Sequence, residues 1–215
     1  MKNKNTAKWI TLILSLFLIP YINAGTQQDS INSRHAQTIF NKTYQMVFGP
    51  QGSYLHYDVN IIGIYKTAGD IYYKGKKMKY SEARYASWND GVTAYMVDKK
   101  KKKVDIYKAD SDKKDKYLSQ FKYNLNNFEY SWSPAKEGYL LSLKVKNAKF
   151  LGIREVKGLI DSKTFYPISL RIKVAFFWTT VKISDFKSGN IDDRLFIFPL
   201  SQFKDYQLTD KRNED

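Results

Sequence analysis

The chain has 215 residues, a formal net charge of +15, only two histidines and no cysteine. Without cysteine, disulfides, thiol nucleophiles and thiolate metal ligands are all excluded, and two histidines leave little for a zinc site. The length is sufficient for one domain with a core of its own.

The first residues have the order of a secretory signal peptide. Three lysines within the first eight residues precede the apolar run WITLILSLFLIP at 9–20, and Ala24 follows shortly after it. This order predicts cleavage after Ala24. An uncleaved anchor is the alternative, but the run is shorter than the roughly 20 residues that span a membrane. We therefore expect residues 1–24 to be removed and 25–215 to fold as one exported domain, which has no cysteine to acylate.

Residues 29–48 are predicted to form an amphipathic helix that needs a partner surface. Asp29 or Ser30 can cap its start, and Gly49-Pro50 ends it. The apolar stripe of this helix consists of Ile31, Ile39, Phe40, Met46 and Val47.

Most of the remaining chain alternates apolar and polar residues, which is the pattern of half-buried strands. The alternation is clear at 53–62, at 69–88 with an interruption near Gly75, and at 92–97, 104–107, 139–146, 168–176 and 181–183, and a last short strand is predicted at 195–198. Short turns separate these segments. Regular spacing of this kind predicts one antiparallel sheet that is strongly curved or nearly closed.

Five consecutive lysines, 99–103, lie between two of the predicted strands. We predict that they form a solvated hairpin turn. The alternative is that they steer the protein toward anionic headgroups or an acidic partner. Residues 109–127 then break the strand rhythm and are predicted to form a loop and a short helix.

The sequence offers little for catalysis. His35 and His56 both fall on predicted polar surfaces, and no phosphate-binding or nucleophile motif accompanies them. The adjacent Asp192 and Asp193 would point in opposite directions on a strand, so they are interpreted as loop residues. A hydrolase that uses carboxylates from distant strands remains an alternative.

Aromatic residues are abundant, with 17 tyrosines, 13 phenylalanines and four tryptophans. Aromatics interleaved with lysines can bind nucleic acid, but an exported protein meets little of it. The other use of aromatics is apolar volume, which either fills a core or lines a cavity for a greasy ligand. Periodicity alone favours the first use, in which these residues fill the core.

The order of elements resembles that of the LolA family of periplasmic lipoprotein carriers, over nearly all of residues 25–215. The stretches that carry the resemblance are GDIYYKGKKMKY (69–80), NDGVTAYMVDKKKKKVDIY (89–107), YLLSLKVK (139–146), GLIDSKTFYPISLRI (158–172) and FIFPLSQFKDYQLTDKR (196–212).

The resemblance implies a mainly β fold with a few helices, namely a strongly curved, open antiparallel half-barrel covered by helices. It implies a soluble, monomeric periplasmic carrier without cofactor, metal or enzymatic activity. The implied cargo is a lipoprotein or another lipid, whose acyl chains enter a hydrophobic cavity. The implied partners are an inner-membrane exporter and an outer-membrane acceptor, with transient contact to an anionic membrane surface and no nucleic acid.

On this resemblance, apolar strand residues are expected to bind the lipid and one helix to form part of a lid. The expected lipid-binding residues are Leu55, Tyr57, Val59, Ile61, Ile71, Tyr73, Met96, Leu141, Leu143, Leu170, Ile172 and Val174. The expected lid residues are Ile39, Phe40 and Val47. The sequence does not reveal which sheet face is concave.

The sequence departs from the family at the lid latch. The family has an Arg-Pro pair where this chain reads Gly75-Lys76. Lys74, Lys76 or Lys77 is the candidate substitute, although lysine lacks the planar, multi-donor grip of arginine. A lipid-sensing or protein-binding module on the same scaffold is therefore the leading alternative to a carrier.

Overall fold

The computed structural model describes residues 31–61, 65–111, 114, 128–148 and 152–214. In this part of the chain, one α-helix, α1 (Ile31–Phe48), precedes a twelve-stranded sheet. The predicted signal peptide lies outside the described residues, as does most of the loop and helix predicted at 109–127.

The strands account for most of the described chain. In sequence order they are β1 (Ser53–Ile61), β2 (Tyr65–Lys74), β3 (Lys77–Glu82), β4 (Tyr85–Asn89), β5 (Thr93–Asp98), β6 (Lys103–Lys108), β7 (Phe128–Ala135), β8 (Gly138–Val145), β9 (Ile153–Asp161), β10 (Pro167–Val174), β11 (Phe177–Ser188) and β12 (Gln207–Asp210).

The strands form a single sheet with two open edges. Its spatial order is β12-β6-β5-β4-β3-β2-β1-β11-β10-β9-β8-β7. Every neighbouring pair is antiparallel except β12 and β6, which run parallel. The predicted fold class, a mainly β protein built on an open antiparallel sheet, is confirmed.

Two sequence predictions about elements were wrong. The segment 69–88 contains parts of three strands, β2, β3 and β4, because a second reversal follows Glu82. The strand predicted at 195–198 is instead a 3₁₀ helix, Asp193–Phe196, followed by a second one, Leu200–Phe203. Asp192 favours the first helix, since its side chain accepts a hydrogen bond from the Arg194 amide.

The predicted turns on either side of β5 are confirmed. At the first turn, Asp90 Oδ1 accepts hydrogen bonds from the amides of Val92 and Thr93, each at 2.8 Å. Gly91 has φ +95°, which glycine adopts at little cost. The lysine run forms the turn between β5 and β6 and includes Lys102 at φ +49°.

Helix α1 packs against one face of the sheet, which we call the inner face. Ile39 and Phe40 join a cluster with side chains of β7, β8 and β9, whereas Val47 and Phe48 join a larger cluster centred on β1, β2 and β10. Ile31 was predicted to belong to the buried stripe but is 80% exposed, because it is the first residue of the helix.

The opposite face, which we call the outer face, is covered at β4, β5 and β6 by the C-terminal segment, residues 191–214. Phe203 of this segment is buried with Trp88 and Val97, and Phe198 packs against the same cluster. Each face of this end of the sheet therefore presents apolar side chains.

The two ends of the strands differ in what surrounds them. Helix α1 lies along one end, where Thr43 Oγ1 donates to the Phe165 carbonyl and the Gly75 amide donates to the Gly49 carbonyl. The opposite end, which we call the basic end, holds the β3–β4, β5–β6 and β10–β11 turns and the junction of β8 with β9. The basic end includes the lysine run.

Candidate functional site

A row of side chains crosses the inner face from β1 to β5. Leu55 lies opposite Ile71, Ile71 opposite Tyr80, Tyr80 opposite Ser87, and Ser87 opposite Met96. Because opposed residues in neighbouring strands point to the same face, this register fixes all five on the inner face.

A second row crosses the other half of the inner face. Val59 lies opposite Val181, Val181 opposite Leu170, Leu170 opposite Gly158, and Gly158 opposite Leu141. Gly158 has no side chain, and the side chains of Leu170 and Ile160 occupy the space beside its backbone.

The predicted lipid-binding residues with described side chains all contribute to the two inner-face clusters. Met96 and Val174 are only partly buried, while the others are buried. The buried ones are Leu55, Tyr57, Val59, Ile71, Tyr73, Leu141, Leu143, Leu170 and Ile172. Ile61 pairs with Tyr65 in the ladder, but its side chain lies outside the description. Binding of lipid by this set stays a prediction.

The three predicted lid residues, Ile39, Phe40 and Val47, are buried between α1 and the inner face. The Phe40 ring meets the Tyr130 ring edge-on, with centroids 5.8 Å apart. Some polar contacts also hold α1: Asn32 Nδ2 donates to the Trp132 carbonyl at 3.0 Å and Asn32 Oδ1 accepts from the Trp132 amide at 3.1 Å, in the middle of β7. At the helix end of the strands, Ser53 Oγ donates to the Val47 carbonyl at 2.7 Å. The contacts of α1 with the inner face itself are largely apolar.

The candidate latch lysines contact the C-terminal segment. Lys74 Nζ lies 2.8 Å from Asp193 Oδ2, and Lys77 Nζ lies 2.7 Å from Asp193 Oδ1. Lys76 is exposed. Lys74 follows the inward-facing Tyr73, so its ion pair forms on the outer face, opposite α1. The interpretation of these lysines as a lid latch stays a prediction.

A carboxylate that sequence reasoning missed is buried on the inner face. Glu82 is only 5% exposed. Its carboxylate accepts one hydrogen bond from the Tyr57 hydroxyl at 2.5 Å and another from Thr67 Oγ1 at 3.2 Å. Burial and the neighbouring Glu82 charge raise the pKa of Tyr57 well above its usual range. The alternation of Met78, Tyr80 and Glu82 was the signal that places this carboxylate inward.

The lysine run is less uniform than predicted. Lys100 and Lys101 are exposed, as expected of a solvated turn. Lys99 is instead partly buried, and its Nζ donates to the Glu82 carbonyl at 2.5 Å and to Ser81 Oγ at 3.2 Å. Burial lowers the pKa of Lys99. Lys102 pairs with Asp205, so part of the run holds the fold together.

The two histidines lie apart from each other. The exposed His35 ring stacks on Trp132, with centroids 4.6 Å apart. His56 Nδ1 lies 2.9 Å from Asp70 Oδ1, and Asp70 also accepts a hydrogen bond from the Tyr54 hydroxyl. Within the described ranges, no group of three or more histidine, aspartate or glutamate side chains is placed to hold a metal ion.

Within the described residues, no helix combines the length and the apolar character needed to cross a membrane.

Comparison with solved structures finds similar folds at low sequence identity. An uncharacterized conserved protein from Thermus thermophilus is 12% identical, with a TM-score of 0.56 over 82% of this chain and 99% of its own. A LolA superfamily protein from Nitrosomonas europaea is 10% identical, with a TM-score of 0.41 over 77% of this chain and 98% of its own. An outer membrane lipoprotein-sorting protein domain from Vibrio parahaemolyticus is 9% identical, with a TM-score of 0.44 over 80% of this chain and 100% of its own.

The Thermus likeness, which has the highest TM-score of the three, shows a shared fold. No family model matches the sequence, and no curated protein matches it.

Proposed function

We propose that this protein is a periplasmic carrier that binds the acyl chains of lipoproteins or other lipids on the inner face and moves them toward the outer membrane. The observation that carries the proposal is the gathering of apolar side chains from β1, β2, β5, β8 and β10 on one face, under a single helix. The element order that resembles the LolA family adds support.

The energetics favour an apolar cargo. Burial of a methylene is worth about 0.8 kcal/mol, so a sixteen-carbon chain offers roughly 12 kcal/mol before the costs of association. A few exposed lysines would contribute much less free energy to the binding of a phosphate, since exposed ion pairs are worth about 0–1 kcal/mol each. The apolar face therefore dominates the proposed affinity.

The state of α1 determines how the cargo enters. Ile39, Phe40 and Val47 now occupy the face that the acyl chain would contact. Apolar contacts are non-directional, so an acyl chain can replace part of the apolar helix surface. Complete displacement of α1 would also break its hydrogen bonds to Trp132 and Phe165. We infer that α1 is displaced, at least in part, when the cargo binds.

The first test is native mass spectrometry of protein expressed from the full sequence, followed by lipid extraction. The expected result is a bound mass that releases acyl chains or a lipopeptide. The same spectrum reports whether residues 1–24 have been removed. A clean apo mass, together with no uptake of a fluorescent fatty acid, would mean that the aromatics fill a core and that the carrier proposal is wrong.

A matched pair of variants tests the site. Met96→Trp places a large ring on the partly buried part of the inner face, whereas Thr93→Trp adds the same ring to the outer side of the same strand. We expect Met96→Trp to weaken fatty-acid uptake by about tenfold, because overpacking costs about 1–3 kcal/mol. Thr93→Trp should leave uptake unchanged.

Two other functions predict different results. A sensor or protein-binding module would retain a stoichiometric protein partner and no lipid. A hydrolase would lose turnover when one aspartate or glutamate is replaced, and Glu82 is the first residue to replace because it is buried on the inner face. A carrier retains lipid after the Glu82→Gln change.

A further inference from the structure

The β10–β11 hairpin ends in two exposed aromatic side chains. Phe176 is 68% exposed and Phe177 is 71% exposed. They occupy a tight turn in which Ala175 has φ +50°, a conformation that costs a residue other than glycine roughly 1–2 kcal/mol. Adjacent exposed phenylalanines at a projecting turn are a feature of interaction sites, whereas single scattered apolar residues are not.

Basic side chains lie behind the tip on the outer face of the sheet, whereas Phe177 lies opposite Val174 and therefore points to the inner face. The Trp178 ring, next in the chain, has Arg171 Cζ at 5.0 Å, Lys157 Nζ at 5.3 Å and Lys173 Nζ at 5.6 Å from its centroid. Lys173 lies opposite Trp178 in the ladder, and Arg171 lies opposite Thr180. At about 3.3 Å per residue, the cations are therefore roughly 3–10 Å behind the tip.

A cleft of about 590 Å³ beside Phe176 has a mixed lining with an excess of cations. Lys144, Arg154 and Lys173 contribute positive charge, and Glu129 and Glu155 contribute negative charge. Glu155 is already engaged by Ser142 Oγ at 2.9 Å and by Lys157 Nζ at 3.4 Å. The lysine run lies at this same end of the sheet, which makes the whole end basic.

This arrangement matches the layers of a membrane surface. Aromatic rings favour the boundary between headgroups and acyl chains, and interfacial segments bury their apolar side about 5–10 Å deep. Lysine and arginine at that distance behind the rings lie at the level of the lipid phosphates. Residues 25–215 keep a net charge of +12, because residues 1–24 hold three lysines and no acidic residue, and this charge also favours an anionic surface over a neutral one.

We propose that the β10–β11 tip, Phe176 and Phe177 with the basic residues around Trp178, docks the protein on anionic phospholipid membranes. The partner is the lipid surface itself, and the two phenylalanine rings insert into its interface. Docking needs no bound cargo, so this proposal is independent of lipid binding on the inner face.

The experiment is sedimentation with vesicles made of equal parts phosphatidylglycerol and phosphatidylcholine, compared with phosphatidylcholine alone. The double variant Phe176→Ser, Phe177→Ser should lower the partition constant by about tenfold or more. The matched control is Ile197→Ser with Leu200→Ser, which removes two apolar residues of similar exposure, 64% and 55%, from the C-terminal segment. This control should bind like the wild type.

A second pair of variants tests the position of the charge. Arg171→Gln with Lys173→Gln should weaken binding by about thirtyfold, since each of the two cations near the surface is worth roughly 1 kcal/mol. Lys100→Gln with Lys101→Gln removes the same charge from the lysine turn and should have a smaller effect. The opposite ranking would overturn the proposed docking site.

The absence of cysteine allows a direct readout that does not depend on the serine variants. Phe176→Cys, labelled with a polarity-sensitive dye, should shift its emission to the blue on anionic vesicles, and labelled Leu200→Cys should not. Three outcomes would each overturn the proposal. They are equal binding to both vesicle types, wild-type binding by the double serine variant, and an unshifted emission of the dye at position 176.

Discussion

The sheet has two apolar faces, and the chain covers them by different means. On the outer face, the C-terminal segment packs Phe203 against Trp88 and is also pinned by directional bonds. Lys102 pairs with Asp205 at 2.5 Å, Lys74 pairs with Asp193 at 2.8 Å, and β12 adds a ladder of backbone hydrogen bonds to β6. The outer cover therefore has one defined position.

On the inner face, α1 meets two clusters through apolar side chains. The polar contacts of α1 with the sheet join Asn32 to the Trp132 backbone within β7, and join Thr43, Met46 and Val47 to residues at one end of the strands. Non-directional contacts allow one apolar surface to be exchanged for another. The difference suggests a fixed cover on the outer face and an exchangeable one on the inner face.

The largest expected effect is at the fixed cover. Phe203→Ala removes a ring whose centroid is 5.0 Å from that of Phe198 and 5.6 Å from that of Trp88, so we expect the free energy of unfolding to fall by about 3–5 kcal/mol. Urea denaturation measures this, with Leu200→Ala as the exposed control. Fatty-acid uptake by the folded variant should not change, and a loss of uptake would contradict the division between the two covers.

The next effect is at the exchangeable cover. Ile39→Ala removes a side chain that is 1% exposed, so the free energy of unfolding should fall by about 2–5 kcal/mol. Unlike Phe203→Ala, it should also change fatty-acid affinity. Ile31→Ala, on the same helix but 80% exposed, is the control. Unchanged affinity in the Ile39 variant would show that α1 does not compete with the cargo.

A smaller effect is expected within the inner face at Tyr57→Phe. Loss of the hydrogen bond to Glu82 should cost about 1–2 kcal/mol in unfolding free energy at neutral pH. Because the folded protein raises the pKa of Tyr57, the protonated hydroxyl stabilises the fold below about pH 10 and this contribution is lost as the pH rises further. Between neutral and alkaline pH, the free energy of unfolding should therefore decline less steeply in the variant than in the wild type.

The smallest effect is expected at Asp193→Asn, which breaks exposed ion pairs of the outer cover. Hydrogen bonds from Lys74 and Lys77 lower the pKa of Asp193. The ionised carboxylate therefore stabilises the fold above about pH 4, and this contribution is lost as the pH falls through the folded pKa. At neutral pH and low salt, the melting temperature of the variant should be slightly lower than that of the wild type. A difference that persists at acid pH would point to another cause.

Local alternation was enough to predict most of the strands and much of the inner face, but it did not predict β7, β9 or β12. Leu55, Tyr57 and Val59 alternate with polar residues, and all three are buried. The strand prediction failed at 195–198, where four consecutive apolar residues stand before Pro199. There, the cap at Asp192 and the proline at 199 favour 3₁₀ turns, so local backbone chemistry outweighed the pattern.

Features that depend on distant residues were not accessible from the sequence. The contact between Lys74 and Asp193 joins residues 119 positions apart, so no local pattern distinguishes it from a lid latch. The face that α1 covers is likewise set by packing between remote elements. Glu82 was overlooked because a carboxylate is normally exposed, and its buried hydrogen bond to Tyr57 appears only once the strands are paired.

The position of β1 in the sheet has a consequence for how the protein folds. β1 pairs on one side with β11, where Ser53 lies opposite Ser188 and Asn60 lies opposite Thr180, contacts between residues more than a hundred positions apart. Pairings this remote must close a long loop before they contribute stability, which slows folding. During synthesis the two halves of the sheet therefore remain separate until residues 177–188 have emerged, and the nascent chain is left with open strand edges that a chaperone can hold.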